Sequence, residues 1–239
     1  MNKQKTVSFF SAGVSSAVAT KLIIDEVDEI IYTHIDDQHE DTMRFVKDCE
    51  QWFNKEIKIV QSVYKNVEAV VMAKRYINGV AGAQCTGVLK RRVRKEWEKT
   101  QSEFDLTYVW GMDCSESHRL ERLKISMPEQ KHRCPLIEKS ISKGHAHEIL
   151  KASGIKRPFL YDQGYHNNNC LMCVKGGMGY FNKMRIDYPK QFKQRAEMER
   201  KLGASCLNGI FLDELDPERG RHAPPIVEDC GIMCEIMAI

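Results

Sequence analysis

Apolar residues in the first half of the chain fall into short, nearly continuous runs, separated by segments with helical spacing. Residues 6–10 read as a buried strand, and within 16–27 the apolar positions Val18, Leu22 and Ile23 keep the three-to-four-residue spacing of a helix face. The β-branched run 29–35 predicts a second strand, ending in the acidic cluster Asp36, Asp37, Glu40 and Asp41, with a helix over 42–54. Third and fourth strands follow at 57–63 and 106–110, with helical segments between them. Such alternation predicts an α/β fold, a doubly wound and mostly parallel sheet covered on both faces. Ligands of these sheets bind beyond the carboxyl ends of the strands, so the loops after Phe10, Ile35 and Trp110 are expected to converge on one crevice.

From about residue 128 the pattern weakens into short helices and loops, including the turn-rich stretch from His166 to Asn169. The charged segment 189–202 reads as a helix capped by Gly203, and the tail with Pro217, Pro224 and Pro225 as an extended arm or lid. The expected division is an α/β domain over 1–160 and a small cysteine-containing helical region with a C-terminal tail over 161–239.

A chain of 239 residues with 42% hydrophobic content can bury one full core. The formal charge of +3 is too small for a protein whose main task is to coat nucleic acid. Neither a long apolar stretch nor a cleavage-site pattern follows the basic start, which predicts a cytoplasmic protein with no membrane partner. Nine cysteines, an odd number without a secretory signal, point to reduced thiols with chemical or ligand roles rather than a disulfide scaffold. Cys49 and Cys206 read as small buried hydrophobes.

The stretch SFFSAGVSSAVATKLI, residues 8–23, sets serines and Gly13 where a strand turns into a helix. Backbone N–H groups and the helix dipole bind anions in that setting. Gly13 allows close backbone approach, while Ser11, Ser15 and Ser16 add hydroxyls. Neither a Walker lysine nor a three-glycine dinucleotide fingerprint is present. The loop resembles the PP-loop, Ser-Gly-Gly-x-Asp-Ser, of ATP pyrophosphatases and of the related sulfonucleotide (PAPS and APS) reductases. Ser11, Gly13 and Ser16 match it; Ala12 and Ser15 depart. Reductases of this group commonly lack the aspartate that Ser15 replaces, so the departure leans away from metal-assisted ATP cleavage.

Further segments extend the likeness. The stretch from His34 to Thr42 resembles the family's second-strand segment, where an acidic side chain such as Asp36 or nearby backbone meets adenosine. Cys85-Thr-Gly-Val-Leu-Lys90 resembles Cys-Thr-x-x-Leu-Lys, which implies that Lys90 faces the anion. Gly111-Met-Asp-Cys-Ser-Glu-Ser-His-Arg119 resembles Gly-x-Arg-x-x-Glu-Ser-x-x-Arg, with Asp113 where arginine is usual and the spacing one residue irregular. Gly111, Glu116 and Arg119 are the positions carried over, Arg119 to the anion and Glu116 to orient it or to meet a ribose hydroxyl. The resemblance implies an adenine nucleotide alpha-hydrolase-like, Rossmann-like fold and an adenine nucleotide ligand: ATP, APS or PAPS. Magnesium and a homo-oligomer are compatible with it but not required.

Cys170-Leu-Met-Cys173 carries two thiols at a spacing that lets both sulfurs reach one metal. It resembles the Cys-x-x-Cys segment of iron–sulfur APS reductases, and a four-thiolate site needs further cysteines. Asp229-Cys230-Gly231-Ile232 resembles the reductase tail that supplies a nucleophilic thiol, with Cys234 nearby. Two readings stand side by side. Either Cys230 attacks the sulfur of a sulfonucleotide, giving a thiosulfonate resolved by a thiol carrier such as a thioredoxin-like protein, or Cys230 and Cys234 join Cys170 and Cys173 around zinc or a 4Fe–4S cluster. The leading function is a thiol-dependent sulfonucleotide reductase. One alternative adenylates a nucleic acid or base for sulfur transfer and would take nucleic acid as a partner; another is an inactive, metal-stapled nucleotide-binding module.

Overall fold

The computed structural model describes residues 3–79 and 82–221. Its five strands lie in the order β3-β2-β1-β4-β5, every adjacent pair parallel. Central β1 (Lys3–Phe10) pairs on one side with β2 (Glu29–His34) and on the other with β4 (Phe104–Val109); β3 (Ile57–Gln61) and β5 (Lys131–Arg133) form the edges. Successive side chains point to opposite faces. Phe10, Ile30 and Tyr32 therefore pack with α1 (Val14–Leu22) and α2 (Asp41–Phe53) in one apolar cluster, while Val7, Ile31 and Tyr108 enter another.

The chain continues through α3 (Val67–Lys74), the short turn α4 (Gln84–Thr86) and the π-helical segment Gly87–Arg91 into α5 (Arg92–Glu98). Beyond β4 come α6 (Ser117–Ser126), α7 (Pro135–Glu138), α8 (Lys143–Ala152) and α9 (Phe159–Asp162). α8 packs beside α1, and Leu123 of α6 enters the cluster on the opposite face. Last are α10 (Met178–Asp187) and α11 (Pro189–Leu202), the latter ended by Gly203 at φ 73° as its sequence predicts. The largest apolar cluster joins Val70 and Leu89 to Leu171, Phe181, Met198 and Leu212, across the expected division at residue 160.

Two differences from the periodicity have physical causes. The first helix stops at Leu22 rather than continuing to Val27, and a 3-10 turn, Ile24–Glu26, carries the chain into β2. Strand β5, Lys-His-Arg, has no apolar pattern at all. It is held by its ladder to β4, by the Trp110 N–H donating to the Arg133 carbonyl at 2.9 Å, and by Trp110 Nε1 against His132 Nδ1 at 3.1 Å. No helix among the described residues is long and apolar enough to cross a membrane.

Candidate functional site: a cavity beyond β1 and β4

Strand β1 ends at Phe10, and the chain turns into α1 through Ala12, whose φ of 57° is left-handed. Gly13, the N-cap of α1, has no side chain of its own to cap the helix. The Ser16 hydroxyl instead accepts from the Ser11 N–H at 3.1 Å, closing the loop on itself. A Cβ on Gly13 would lie 3.4 Å from the Tyr161 hydroxyl, which accepts from the Val14 N–H at 3.4 Å. Gly111 brings the end of β4 against this loop: a Cβ there would fall 2.5 Å from Ser16 Cα and 2.6 Å from its nitrogen.

Beyond Gly111, Asp113 and Glu116 form a capping box. The Asp113 carboxylate accepts from the Ser115 N–H at 2.8 Å, and the Asp113 N–H donates to Glu116 at 3.0 Å. Arg119 is buried, 2% exposed, and donates to the Glu116 carboxylate. Burial raises the pKa of Glu116, against the pull of Arg119 and the Asp113 N–H. Asp113, where the reductase motif has arginine, is thus spent on this cap.

Ser11, Gly13, Ser15, Ser16, Gly111, Glu116 and Arg119 all line one cavity of about 180 Å3. Asp113, Ser115 and His118 line it as well, and the rest of its wall comes from far along the chain: Lys143 at the start of α8, Tyr161 of α9, and the run from His166 to Asn169. Lys143 Nζ donates to Asn167 Oδ1 at 2.6 Å, and Asn168 Nδ2 donates to the Ala12 carbonyl at 2.8 Å and to Thr42 Oγ1 at 3.3 Å. Burial and the neighbouring Lys143 lower the pKa of His166, favouring its neutral form. Lys143, Tyr161 and the three asparagines carry no local signal; an asparagine-rich stretch reads as a turn, and only the fold brings it under the loop.

Asp36 and Lys90 stand apart from the other sequence-predicted residues. Asp36 lines a separate open groove of about 550 Å3 with Asp37, Tyr188 and Arg195, and its carboxylate accepts from Gln61 Nε2 at 2.6 Å. Lys90, on the π-helical segment, lines neither cavity. The loop after β2 is kept from the first cavity by the cysteine segment, because the Leu171 N–H donates to the Asp37 carbonyl at 2.8 Å. Asn168 and Leu171 thus tie one stretch of chain across the ends of β1 and β2.

Cys170 and Cys173 share a tight turn with Met172 at φ 54°. The buried Tyr180 hydroxyl clips it, accepting from the Cys173 N–H at 2.9 Å and donating to the Cys170 carbonyl at 3.3 Å. Burial raises the pKa of Tyr180 well above the usual phenol value. Among the described residues no group of three or more His, Cys, Asp or Glu side chains is placed to hold a metal ion. Cys170 and Cys173 therefore need ligands from elsewhere to complete a metal site, and Cys230 and Cys234 lie outside the described residues. Cys49 and Cys206 are buried as their sequence context predicts, and burial raises the pKa of both thiols.

The model of one family, described as phosphoadenosine phosphosulfate reductase domain, matches residues 5–175. The match spans both strand ends that form the cavity, Lys143, the asparagine run and the Cys170 turn. No curated protein matches the chain.

Proposed function

This chain belongs to the phosphoadenosine phosphosulfate reductase domain family, and from that premise we propose that it binds a sulfonated adenine nucleotide in the cavity beyond β1 and reduces it with a thiol. The observation that carries the reading is the gathering of seven residues, chosen from two sequence motifs far apart in the chain, on one cavity. Sites for whole small molecules run to roughly 300–1,000 Å3. At about 180 Å3 this one suits the anionic end of a nucleotide. In this reading the amides at the start of α1 and the hydroxyls of Ser11, Ser15 and Ser16 receive the anion, Lys143 adds positive charge, and Glu116 holds Arg119 in place beside it.

The chemistry of this reading is that of the reductases the sequence resembles. A thiolate, assigned to Cys230, attacks the sulfuryl sulfur; an S–S bond forms, the S–O bond to the nucleotide phosphate breaks, and the electron pair leaves with the adenosine phosphate. A thiol of a thioredoxin-like carrier then attacks the cysteine sulfur, releasing sulfite and leaving a mixed disulfide that the carrier's second thiol resolves. Cys170 and Cys173 offer two of the four thiolates of a zinc or 4Fe–4S site. Were Cys230 a third, it could not serve as nucleophile.

The test is sulfite release from APS and PAPS with a reduced dithiol present. Turnover should vanish in Cys230→Ala and persist in Cys49→Ala. Pyrophosphate release from ATP dependent on a nucleic acid, with no sulfite from either sulfonucleotide, would overturn the reading.

A further inference from the structure

Asn167, Asn168 and Asn169 form one wall of the cavity, and the first two have evident partners. Asn167 accepts from Lys143, and Asn168 fastens the Ala12 carbonyl and Thr42. Asn169 differs. Its residue is 9% exposed, it lines the cavity, and its Nδ2 is buried with no hydrogen-bond partner. Nearly all buried polar groups in native proteins find a partner, so an orphaned donor on a residue that lines a cavity marks where an acceptor arriving with a ligand would be received.

The surroundings say which kind of acceptor. Asn169 follows directly on the residue that holds Ala12 of the anion loop, and the cavity it lines carries the cations Lys143 and Arg119, with the carboxylates of Asp113 and Glu116 engaged in their capping box. Asn169 also borders a second void of about 10 Å3, shared with Tyr165, His166, Cys170 and Tyr180, at the lower limit for one water molecule.

We propose that Asn169 is a ligand-binding residue whose Nδ2 donates to an anionic oxygen, phosphoryl or sulfuryl, of the nucleotide bound in the cavity. This rests on the nucleotide reading above and adds to it a recognition group with no counterpart in the motifs of the sequence. Because Cys170 is the next residue, the same contact sets the anionic end of the ligand beside the cysteine turn.

Calorimetric titration of the full chain with AMP, APS and adenosine tests this, adenosine being measured by competition where weak. Asn169→Asp keeps the side chain's size and replaces the donor by a carboxylate oxygen, so Kd for AMP and APS should rise roughly tenfold or more, with adenosine changed by less than about twofold. Asn169→Ala should show a smaller rise in the same order. If Asn169→Asp fails to give a cooperative melt, Asn169→Ser, which keeps a shorter donor, should fall between the wild type and Asn169→Ala. Unchanged affinities in all variants, the result expected if Nδ2 serves only a buried water, overturn the proposal. So does an equal loss for adenosine, which would put the contact on base or sugar. A wild-type chain that binds none of the three ligands would defeat the nucleotide reading itself and this proposal with it, distinguishable because the variants are then not needed to see it.

Discussion

Ala12 is fully buried in a left-handed conformation that a Cβ disfavours by roughly 1–2 kcal/mol. Among its neighbours, Asn168 reaches its carbonyl from more than 150 residues away. Asn168→Ala leaves that carbonyl without this donor and should cost about 1–3 kcal/mol in urea unfolding. Ala12→Gly in the same background should recover part of the loss, since glycine enters this region freely. Equal stability of Asn168→Ala and wild type would show that the loop holds itself. A second residue sets a pH dependence. The His147 ring meets Tyr161 edge-on with centroids 4.8 Å apart, and its Nδ1 is buried without a partner. Burial, then the charges of Arg157, Lys143 and His166, push its pKa down to about 4, with Glu148 opposing weakly. The unfolded chain titrates this group near 6.5, so between about pH 4 and 6.5 it binds more protons than the folded one. Stability should therefore rise with pH across that window, and His147→Gln should flatten the rise in melting temperature. An unaltered slope in the variant would remove His147 from the account.

At the scale of elements, the cavity depends on how closely β4 and α1 approach. Gly111 is the contact, and the atoms a Cβ would strike belong to the Ser15 and Ser16 backbone, not to a side chain that could swing away. Gly111→Ala should lower nucleotide affinity by roughly tenfold or more and stability by about 1–3 kcal/mol, read by titration and by urea unfolding; wild-type affinity would mean that the loop tolerates displacement. This glycine was legible only through a motif, whereas β1 and β2 were legible from their apolar runs, α2 from its helical pattern, and α11 from its charged helical stretch and the glycine that ends it. Strand β5 was not, since three polar residues at a sheet edge are held by the ladder to β4 and by Trp110 rather than by an apolar stripe. The loop at residues 11–16 announces itself because strand, small residues and helix are contiguous. Lys143, Tyr161 and Asn168 announce nothing, as their role exists only once α8 and α9 have folded back over α1. Asp36 illustrates the opposite outcome: an acidic tip after β2 is visible in the sequence, but the hydrogen bond between Leu171 and Asp37 directs that tip to a different groove.

On the scale of the molecule, the cavity is assembled from both sides of residue 160, so its integrity requires that the two parts fold together. The largest apolar cluster runs from Ile35 through α3 and the π-helical segment to α10, α11 and Leu215. Glu199, fully buried, organises the chain after α11 by accepting from the Leu212 N–H at 2.7 Å. Asn182 of α10 binds the carbonyls of Asp216 and Arg219. Such a core predicts one cooperative transition rather than two. Phe181, with none of its surface exposed, is the place to probe it, because truncation of a buried phenylalanine costs roughly 3–5 kcal/mol. All three tryptophans, Trp52, Trp97 and Trp110, precede residue 160, so their fluorescence reports the sheet and its helices alone. In Phe181→Ala the tryptophan midpoint in urea should fall by the same amount as the midpoint followed by far-ultraviolet circular dichroism. A tryptophan transition left at the wild-type midpoint beside an earlier loss of helix signal would instead make the region after residue 160 a separately melting unit, and the wall of the cavity that carries Asn168 and Asn169 would open before the rest unfolds.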